Sequence, residues 1–106
     1  MPIPESPNVF TPEGAIDLHV SPEIRAALRE LIDQQPARLV VDLSRVPYID
    51  SSGLAVLIGA MRSLEDDGGI FMLAGLQQTV RTILESARLH EYFLIFPTVD
   101  EALAAP

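Results

Sequence analysis

Residues 39–54 read LVVDLSRVPYIDSSGL, and this stretch decides the fold. Its first five residues form a short, branched apolar run, which is typical of a buried strand that is covered on both faces. From residue 54 onward, apolar residues recur at three- and four-residue steps, which predicts a helix that begins just after Gly53. We therefore expect the hydroxyls of Ser51 and Ser52 to lie at the N-terminus of that helix.

The N-terminus of a helix favours negative charge, because its first backbone N–H groups lack partners and the peptide dipoles sum to a partial positive charge there. A phosphate group is well tolerated at such a position, so a serine hydroxyl held there is a candidate phosphoryl acceptor. Spacing alone favours a simpler interpretation, in which Asp50, Ser51 and Ser52 only cap the helix. Asp and Ser are preferred capping residues, and caps are far commoner than phosphorylation sites.

The composition describes a single domain without disulfides. The chain has 106 residues, of which 48% are apolar, and it has no cysteine, so we expect one domain with its own core. The two histidines, His19 and His90, are isolated in the sequence, which argues against a metal centre, and we expect no cofactor. Residues 1–8 carry three prolines and are expected to form a flexible tail ahead of a domain over residues 9–106.

The net charge narrows the class of partner. Fifteen acidic and seven basic residues give a charge of −8, which would repel a phosphate backbone, so we expect no direct nucleic-acid binding. The apolar stretches fall short of the roughly 20 residues that a membrane span needs. The N-terminus also lacks a basic segment followed by an apolar core. The sequence therefore predicts a cytoplasmic protein without membrane insertion, and we expect a monomer.

The other elements alternate between strands and helices. Residues 9–20 are expected to supply one or two short strands, of which residues 16–18 are the better candidate. Ser21 is expected to cap the first helix, and Thr98 with Glu101 forms a capping box for a short closing helix. Further strands are predicted at residues 39–43, 70–74 and 92–96, and further helices at residues 54–65 and 80–87. This alternation implies an α/β fold with a parallel or mixed sheet and right-handed crossovers.

Enzymatic interpretations find little support in the sequence. The chain lacks the Gly-x-Ser-x-Gly elbow of serine hydrolases and the glycine fingerprints of nucleotide sites. Asp17, Asp42 and Asp50 could meet at the carboxyl ends of the strands, where α/β proteins bind their ligands. Solvated or capping carboxylates are the preferred interpretation of these three residues, and we expect a protein that is not an enzyme.

The stretch over residues 39–54 resembles the signature of the STAS family, the anti-sigma factor antagonists of bacteria. A strand that ends in Asp-Leu-Ser, a short link and Asp-Ser-Ser-Gly-Leu occur together in the order of that signature. The resemblance extends over roughly residues 14–104. It implies a single STAS-type domain, in which a small mixed or parallel sheet carries about four helices packed mainly on one face. Pro12 and Ala15 depart from the family pattern and leave the length of the first strand open.

The resemblance also implies a partner switch that is controlled by phosphorylation. In such antagonists the second serine of the motif, here Ser52, is phosphorylated by a partner kinase. The unphosphorylated protein would bind an anti-sigma factor that is also an ATPase-like serine kinase, and a sigma factor would be released. Phosphorylation of Ser52 would end the binding, and a serine phosphatase would reset the cycle. ATP and Mg²⁺ would belong to the kinase.

The resemblance implies a partner contact formed by two segments of the chain. The residues expected in that contact are Asp17, Asp50, Ser51, Ser52, Gly53 and Leu54. Among them, we expect Asp50 to orient the acceptor hydroxyl, Ser51 to help cap the helix and Gly53 to permit a close approach of the kinase backbone. Stand-alone STAS domains also resemble subunits of lipid-transporting ABC complexes and of stress-signalling assemblies. A docking module without turnover of phosphate is therefore the alternative.

Overall fold

Strands and helices alternate over residues 8–105, which are the residues that this computed structural model describes. The four strands in that range are all parallel, and their order across the sheet is their order in the chain. The elements are β1 (Val9–Phe10), α1 (Ser21–Asp33), β2 (Arg38–Asp42), α2 (Ser51–Asp66), β3 (Ile70–Ala74), α3 (Gln78–Ser86), β4 (Leu94–Phe96) and α4 (Val99–Ala104). None of the helices in this range has the length and apolar character to cross a membrane. The expected tail over residues 1–8 lies outside the described residues, except for Asn8.

The helices cover the two faces of the sheet unequally. α1, α2 and α3 pack on one face, where Leu39 and Val41 of β2 belong to the main core. Val40, between them, joins a smaller cluster on the other face with Ala102 of α4. Because successive side chains of a strand alternate, β2 is buried on both faces, as its continuous apolar run predicts. The predicted α/β fold, with helices mainly on one face, is confirmed.

The strand predicted at residues 16–18 is wrong. Ile16 makes only an isolated parallel bridge to Ile49, and the strand that pairs with β2 on this side is β1. Gly14 has a φ of +85° and turns the chain between β1 and Ile16. The chain turns again directly after Asp17 on its way into α1. The apolar spacing of Ile16 and Leu18 therefore belongs to a turn and not to a strand.

The starts of two helices differ from the prediction. α2 begins at Ser51, ahead of Gly53, because the Asp50 side chain caps it. α1 is preceded by Val20 and has no side-chain cap. Ser21, which was expected to cap α1, is only 4% exposed and is the first residue of the helix itself.

The last strand and helix lie close to the prediction. β4 begins at Leu94, because Tyr92 still belongs to the turn after α3, where its N–H donates to the Leu89 carbonyl oxygen. Thr98 caps α4 by accepting a 3.1 Å hydrogen bond from the Glu101 N–H, which confirms half of the predicted capping box. The Glu101 carboxylate accepts from the Thr98 hydroxyl at 3.3 Å, where a bond to the Thr98 backbone N–H was expected.

The link between β2 and α2 carries the serine motif beyond the carboxyl ends of the strands. Val46 and Ile49 are buried and anchor this link in the core. The Asp50 N–H then donates to the Ile16 carbonyl oxygen at 3.1 Å. The start of α2 is thus attached to the segment that precedes α1, and the two segments expected in the partner contact lie side by side.

Candidate functional site

The Asp50 side chain is the cap of α2. Its Oδ1 atom accepts hydrogen bonds from the Ser52 N–H at 2.9 Å and from the Gly53 N–H at 3.1 Å. The Asp50 backbone is extended, as is usual for a capping residue. The capping interpretation of the motif is therefore confirmed for Asp50. It is wrong for Ser51, whose exposed side chain makes no hydrogen bond within residues 8–105.

The Ser52 hydroxyl is held by the same carboxylate. Its Oγ donates to Asp50 Oδ1 at 2.6 Å, which is short and typical of a hydroxyl bonded to an ionised acid. Ser52 is half-buried at the first turn of α2, so its oxygen is restrained without being enclosed. Because the hydroxyl hydrogen points at the carboxylate, the oxygen lone pairs are left for an incoming electrophile. The expected orienting role of Asp50 is consistent with this geometry.

The hydrogen bonds to Asp50 also change its acidity. The Ser52 hydroxyl contributes most to lowering the pKa of the Asp50 carboxyl, and the Gly53 N–H contributes next. Smaller contributions come from the Ser52 and Leu18 N–H groups, while partial desolvation opposes all of them. Hydrogen bonds of this kind stabilise the charged form of a carboxylate. Asp50 is therefore a fixed negative charge beside the serine at neutral pH.

A second segment completes the site from the other side. The Leu18 N–H donates to Asp50 Oδ2 at 3.1 Å, so one carboxylate joins α2 to the turn before α1. The Asp17 carboxylate accepts from the N–H groups of His19 and Val20 at 3.0 and 3.3 Å, and this holds the turn. Asp17 is thus close to the motif, as the resemblance implies, but its own oxygen atoms serve the local turn.

Leu18 is a site residue that the sequence analysis did not identify. Leu18 is 72% exposed and lies in a turn, whereas the sequence predicted a strand over residues 16–18. The sequence does contain a signal for this position, because an aspartate side chain can accept a hydrogen bond from the backbone two residues on and so form an Asx-turn. Such a turn at Asp17 would rotate Leu18 away from the core.

Gly53 and Leu54 have roles inside the domain. A Cβ on Gly53 would lie 2.7 Å from Ile49 Cγ2 and 2.9 Å from the Ile16 carbonyl oxygen, so the chain itself fills the space that a side chain would need. Leu54 is partly buried and packs against the main core. The expected approach of a kinase backbone to Gly53 stays a prediction, and the glycine already has a reason within the fold.

The three aspartates that could have formed a ligand site do not share one. Asp42 Oδ1 accepts from the Ser44 N–H at 3.0 Å, while Asp17 and Asp50 hold the turn and cap described above. Over residues 8–105 no group of three acidic or histidine side chains is arranged to hold a metal ion. The preferred interpretation of these residues as capping carboxylates agrees with the structure.

A groove of about 370 Å³ lies between α1 and α2. Arg25 and Arg29 lie along it on α1, and Asp33, Asp66 and Asp67 lie at its far end. None of the six residues expected in the partner contact lines this groove. The candidate site is therefore the surface at the start of α2 and not a cavity.

Comparison with known proteins agrees with the motif. The chain matches the STAS domain over residues 1–102. It is 32% identical over 78 residues to the anti-sigma-B factor antagonist of Listeria monocytogenes, an alignment that covers 74% of this chain and 68% of the relative.

Solved structures extend the comparison to the fold. An anti-sigma factor antagonist from Mycobacterium paratuberculosis superposes with a TM-score of 0.82 and 29% identity, covering 90% of this chain and 80% of the other. The phosphorylated form of SpoIIAA from Bacillus superposes with a TM-score of 0.68 and 28% identity, covering 90% and 86% of the two chains. The resemblance seen in the sequence is thereby confirmed. Motif, relatives and fold agree, and the chain is a member of the STAS-domain family of bacterial anti-sigma factor antagonists.

Proposed function

We propose that this chain antagonises an anti-sigma factor and that phosphorylation of Ser52 ends the binding. The observation that supports this most directly is the 2.6 Å hydrogen bond from the Ser52 hydroxyl to Asp50, at a half-buried position on the first turn of α2. The names of the relatives add support, and SpoIIAA is known in a phosphorylated form. The proposed role is regulatory, and the chain needs no catalytic residue of its own.

The partner in this proposal is an anti-sigma factor that is also a serine kinase, which supplies ATP and Mg²⁺. In the transfer step, the bond between the β,γ-bridging oxygen and the γ-phosphorus breaks, ADP leaves, and a bond forms between the phosphorus and Ser52 Oγ. The hydroxyl proton leaves through its hydrogen bond to Asp50 Oδ1 and passes on to solvent water. Because the pKa of Asp50 is lowered, it is a weak base, and its main contribution is to hold the oxygen in one orientation.

The phosphoryl group would change the charge of the partner surface. It adds about −1.5 to −2 charges to a chain that already carries −8. The Ser52 and Gly53 N–H groups, which could have bound the phosphate, are already used by Asp50. The new charge is therefore only partly compensated within the domain. Against a carboxylate or an apolar patch of the partner it would be repelled or desolvated, so binding ends without refolding.

The remaining parts of the proposal are the removal of the phosphoryl group and the residues that contact the partner. A serine phosphatase would hydrolyse the Oγ–P bond with water, which restores the hydroxyl and releases inorganic phosphate. We propose that Asp50, Ser51 and Ser52 form the centre of the contact. Asp17, Gly53 and Leu54 would contribute at its edge, and the protein would act as a cytoplasmic monomer.

Affinity capture from the lysate of the native cell tests the proposal. Four proteins would serve as parallel baits: wild type, Ser52→Ala, Ser52→Asp and Ser86→Asp. The last variant adds the same charge at an exposed position at the end of α3 and serves as the matched control. We expect wild type, Ser52→Ala and Ser86→Asp to retain an ATPase-like serine kinase and Ser52→Asp to lose it.

The retained kinase then gives a direct assay. Incubation with ATP should place one phosphoryl group on wild type, at Ser52 by mass spectrometry, and none on Ser52→Ala. Equal retention of the kinase by Ser52→Ala and Ser52→Asp would contradict the switch. An ABC ATPase retained equally by all four baits would instead favour the docking alternative.

A further inference from the structure

The turn beside the serine presents the most exposed large apolar side chain of the described residues, Leu18 at 72%. Tyr48 is 47% exposed and lies two residues before Asp50 in an extended segment, with the buried Ile49 between them. Side chains alternate in such a segment, so Tyr48 and Asp50 point outward together. Two apolar side chains therefore flank one carboxylate on the surface that carries Ser52.

The Asp50 carboxylate connects this apolar surface to the serine. Oδ2 accepts from the Leu18 N–H at 3.1 Å, while Oδ1 accepts from the Ser52 hydroxyl at 2.6 Å. Both oxygen atoms of the Asp50 carboxylate thus accept hydrogen bonds, one from the turn before α1 and the other from the start of α2. Because the two oxygen atoms belong to one planar group, a shift of the whole carboxylate away from Ser52 would also change the distance between Oδ2 and the Leu18 N–H.

We propose that Leu18 is an apolar anchor for the partner of Ser52, and that Asp50 couples its position to the chemical state of the Ser52 hydroxyl. This inference rests on the proposed function for the identity of the partner. Because hydrogen bonds fix the backbone at Leu18, a partner would have to order only the leucine side chain on binding and not the turn that carries it. Residues that dominate binding lie near the centre of an interface in well-packed pockets without water, and Leu18 lies next to the serine at the centre of the proposed contact.

Phosphorylation of Ser52 would release the anchor in two ways. It removes the hydroxyl hydrogen that Asp50 accepts, and it places a phosphate group beside the carboxylate, where like charges repel. The carboxylate is then displaced, and the Leu18 N–H loses its acceptor.

The release would be confined to Leu18. The Asp17 carboxylate still accepts from the His19 and Val20 N–H groups, and the Ser21 N–H still donates to the Asp17 carbonyl oxygen at 2.8 Å. None of these bonds involves Asp50. The segment over residues 17–20 therefore stays attached to α1, while the hydrogen bond between the Leu18 N–H and Asp50 at the start of α2 opens.

Amide hydrogen exchange, measured by NMR on the full chain, tests the coupling without any partner. The protein would be prepared unmodified, with phosphoserine incorporated at position 52, and as Ser52→Ala. We expect exchange of the Leu18 amide to accelerate about tenfold or more in the phosphoserine protein, because its acceptor is lost. The Ile16 amide, which donates to the Tyr48 carbonyl oxygen at 2.9 Å, is the internal control and should not change.

The Ser52→Ala protein separates charge from the loss of the hydroxyl. It loses the hydroxyl hydrogen bond but keeps the backbone bonds to Asp50 and adds no charge, so Leu18 exchange should accelerate less than in the phosphoserine protein. An unchanged Leu18 rate in the phosphoserine protein would overturn the coupling. An equal acceleration of Ile16 would overturn it as well, because the whole segment would then be loosening.

Binding to the kinase retained by the wild-type bait tests the anchor. We expect Leu18→Ala to weaken binding about tenfold or more, as for a central apolar contact. Leu103→Ala is the matched control, since Leu103 is 37% exposed on α4, on the other face of the sheet, and this variant should bind as wild type does.

If Leu18→Ala binds the kinase as tightly as wild type does and has the same urea midpoint, the anchor is overturned but the proposed function stands. A wild-type bait that retains no such kinase overturns the anchor together with the proposed function, while amide exchange still decides the coupling.

Discussion

Gly53 and Ile16 pack backbone against backbone: a Cβ on Gly53 would lie 2.9 Å from the Ile16 carbonyl oxygen. The same carbonyl oxygen accepts the Asp50 N–H at 3.1 Å. The first turn of α2 is therefore fixed by direct contact with the segment before α1. The position of the Ser52 hydroxyl therefore depends on this contact in addition to its own hydrogen bond to Asp50.

Gly53→Ala should destabilise the fold. The added methyl group has no space against the Ile16 backbone, and overpacking of this kind costs about 1–3 kcal/mol, more than the gain in helix propensity of about 1 kcal/mol. The measurement is the free energy of unfolding in urea. Gly59→Ala is the matched control in the same helix, since no atom lies within 4 Å of its Cβ position. It should raise stability by up to about 1 kcal/mol. Equal stability of the two variants would contradict the packing.

The Ser52 hydroxyl should set the acidity of Asp50. The pKa of Asp50 is lowered chiefly by this hydroxyl, so in Ser52→Ala the pKa should rise toward its ordinary value. Carbon-detected NMR titration of the Asp50 carboxyl in both proteins measures the shift. An identical pKa in the two proteins would show that the backbone N–H groups alone hold the carboxylate.

The lowered pKa of Asp50 also predicts a pH dependence of stability. The unfolded chain has the higher pKa, about 3.9, so it binds more protons than the folded state in the window below that value. The advantage of wild type over Asp50→Asn should therefore be complete above about pH 5 and decline as the pH falls through the folded-state pKa. Urea unfolding of both proteins across this range measures it. An advantage that grows on acidification would contradict the assignment.

Gln35→Gly should stabilise the end of α1. Gln35 has a φ of +55°, a conformation that costs a residue with a side chain about 1–2 kcal/mol and costs glycine little. After allowance for the greater freedom of glycine in the unfolded chain, we expect a gain of about 0.5–1 kcal/mol in urea unfolding. The neighbouring Gln34 has a φ of −80°, so Gln34→Gly should lose stability. If both variants lose stability in urea, the positive φ of Gln35 is not a source of strain.

Arg38→Met should loosen α4. The Arg38 Nη1 atom donates to the carbonyl oxygens of Leu103 and Ala105 at 3.0 and 2.7 Å, and hydrogen bonds from a charged group contribute about 1.5–3 kcal/mol. Urea unfolding measures the loss, and faster exchange of the Ala102 amide would locate it in α4. Arg45→Met is the control, because the exposed pair of Arg45 with Glu13 should contribute no more than about 1 kcal/mol. A larger loss of unfolding free energy in Arg45→Met than in Arg38→Met would contradict the stabilising role of the Arg38 hydrogen bonds.

The sequence was sufficient for the parts of the fold that have a strong period. The apolar run of β2 and the spacing of α2 are confirmed because both faces of the strand and one face of the helix are buried. The capping box at Thr98 was also readable, since it is a local interaction between residues three positions apart.

Contacts between distant segments were not readable. Ile16 resembles a strand residue, but Gly14 and Asp17 bend the chain on either side of it and leave a single bridge. Leu18 becomes a site residue only because its N–H meets Asp50, 32 positions away. The serine motif could be identified from the sequence. The link that the Asp50 carboxylate makes between this motif and Leu18 could be seen only in the tertiary structure.

The position of α4 decides how the domain can be tethered. At the amino end of β2, Arg38 donates to the carbonyl oxygens of Leu103, in α4, and of Ala105, which directly follows it, whereas Ser52 lies beyond the carboxyl end of the same strand. A linker, a fluorophore or a further domain attached after Ala105 would therefore leave from the opposite end of the molecule. Immobilised through that end, the protein should present the surface that carries Ser52 and Leu18 to solution.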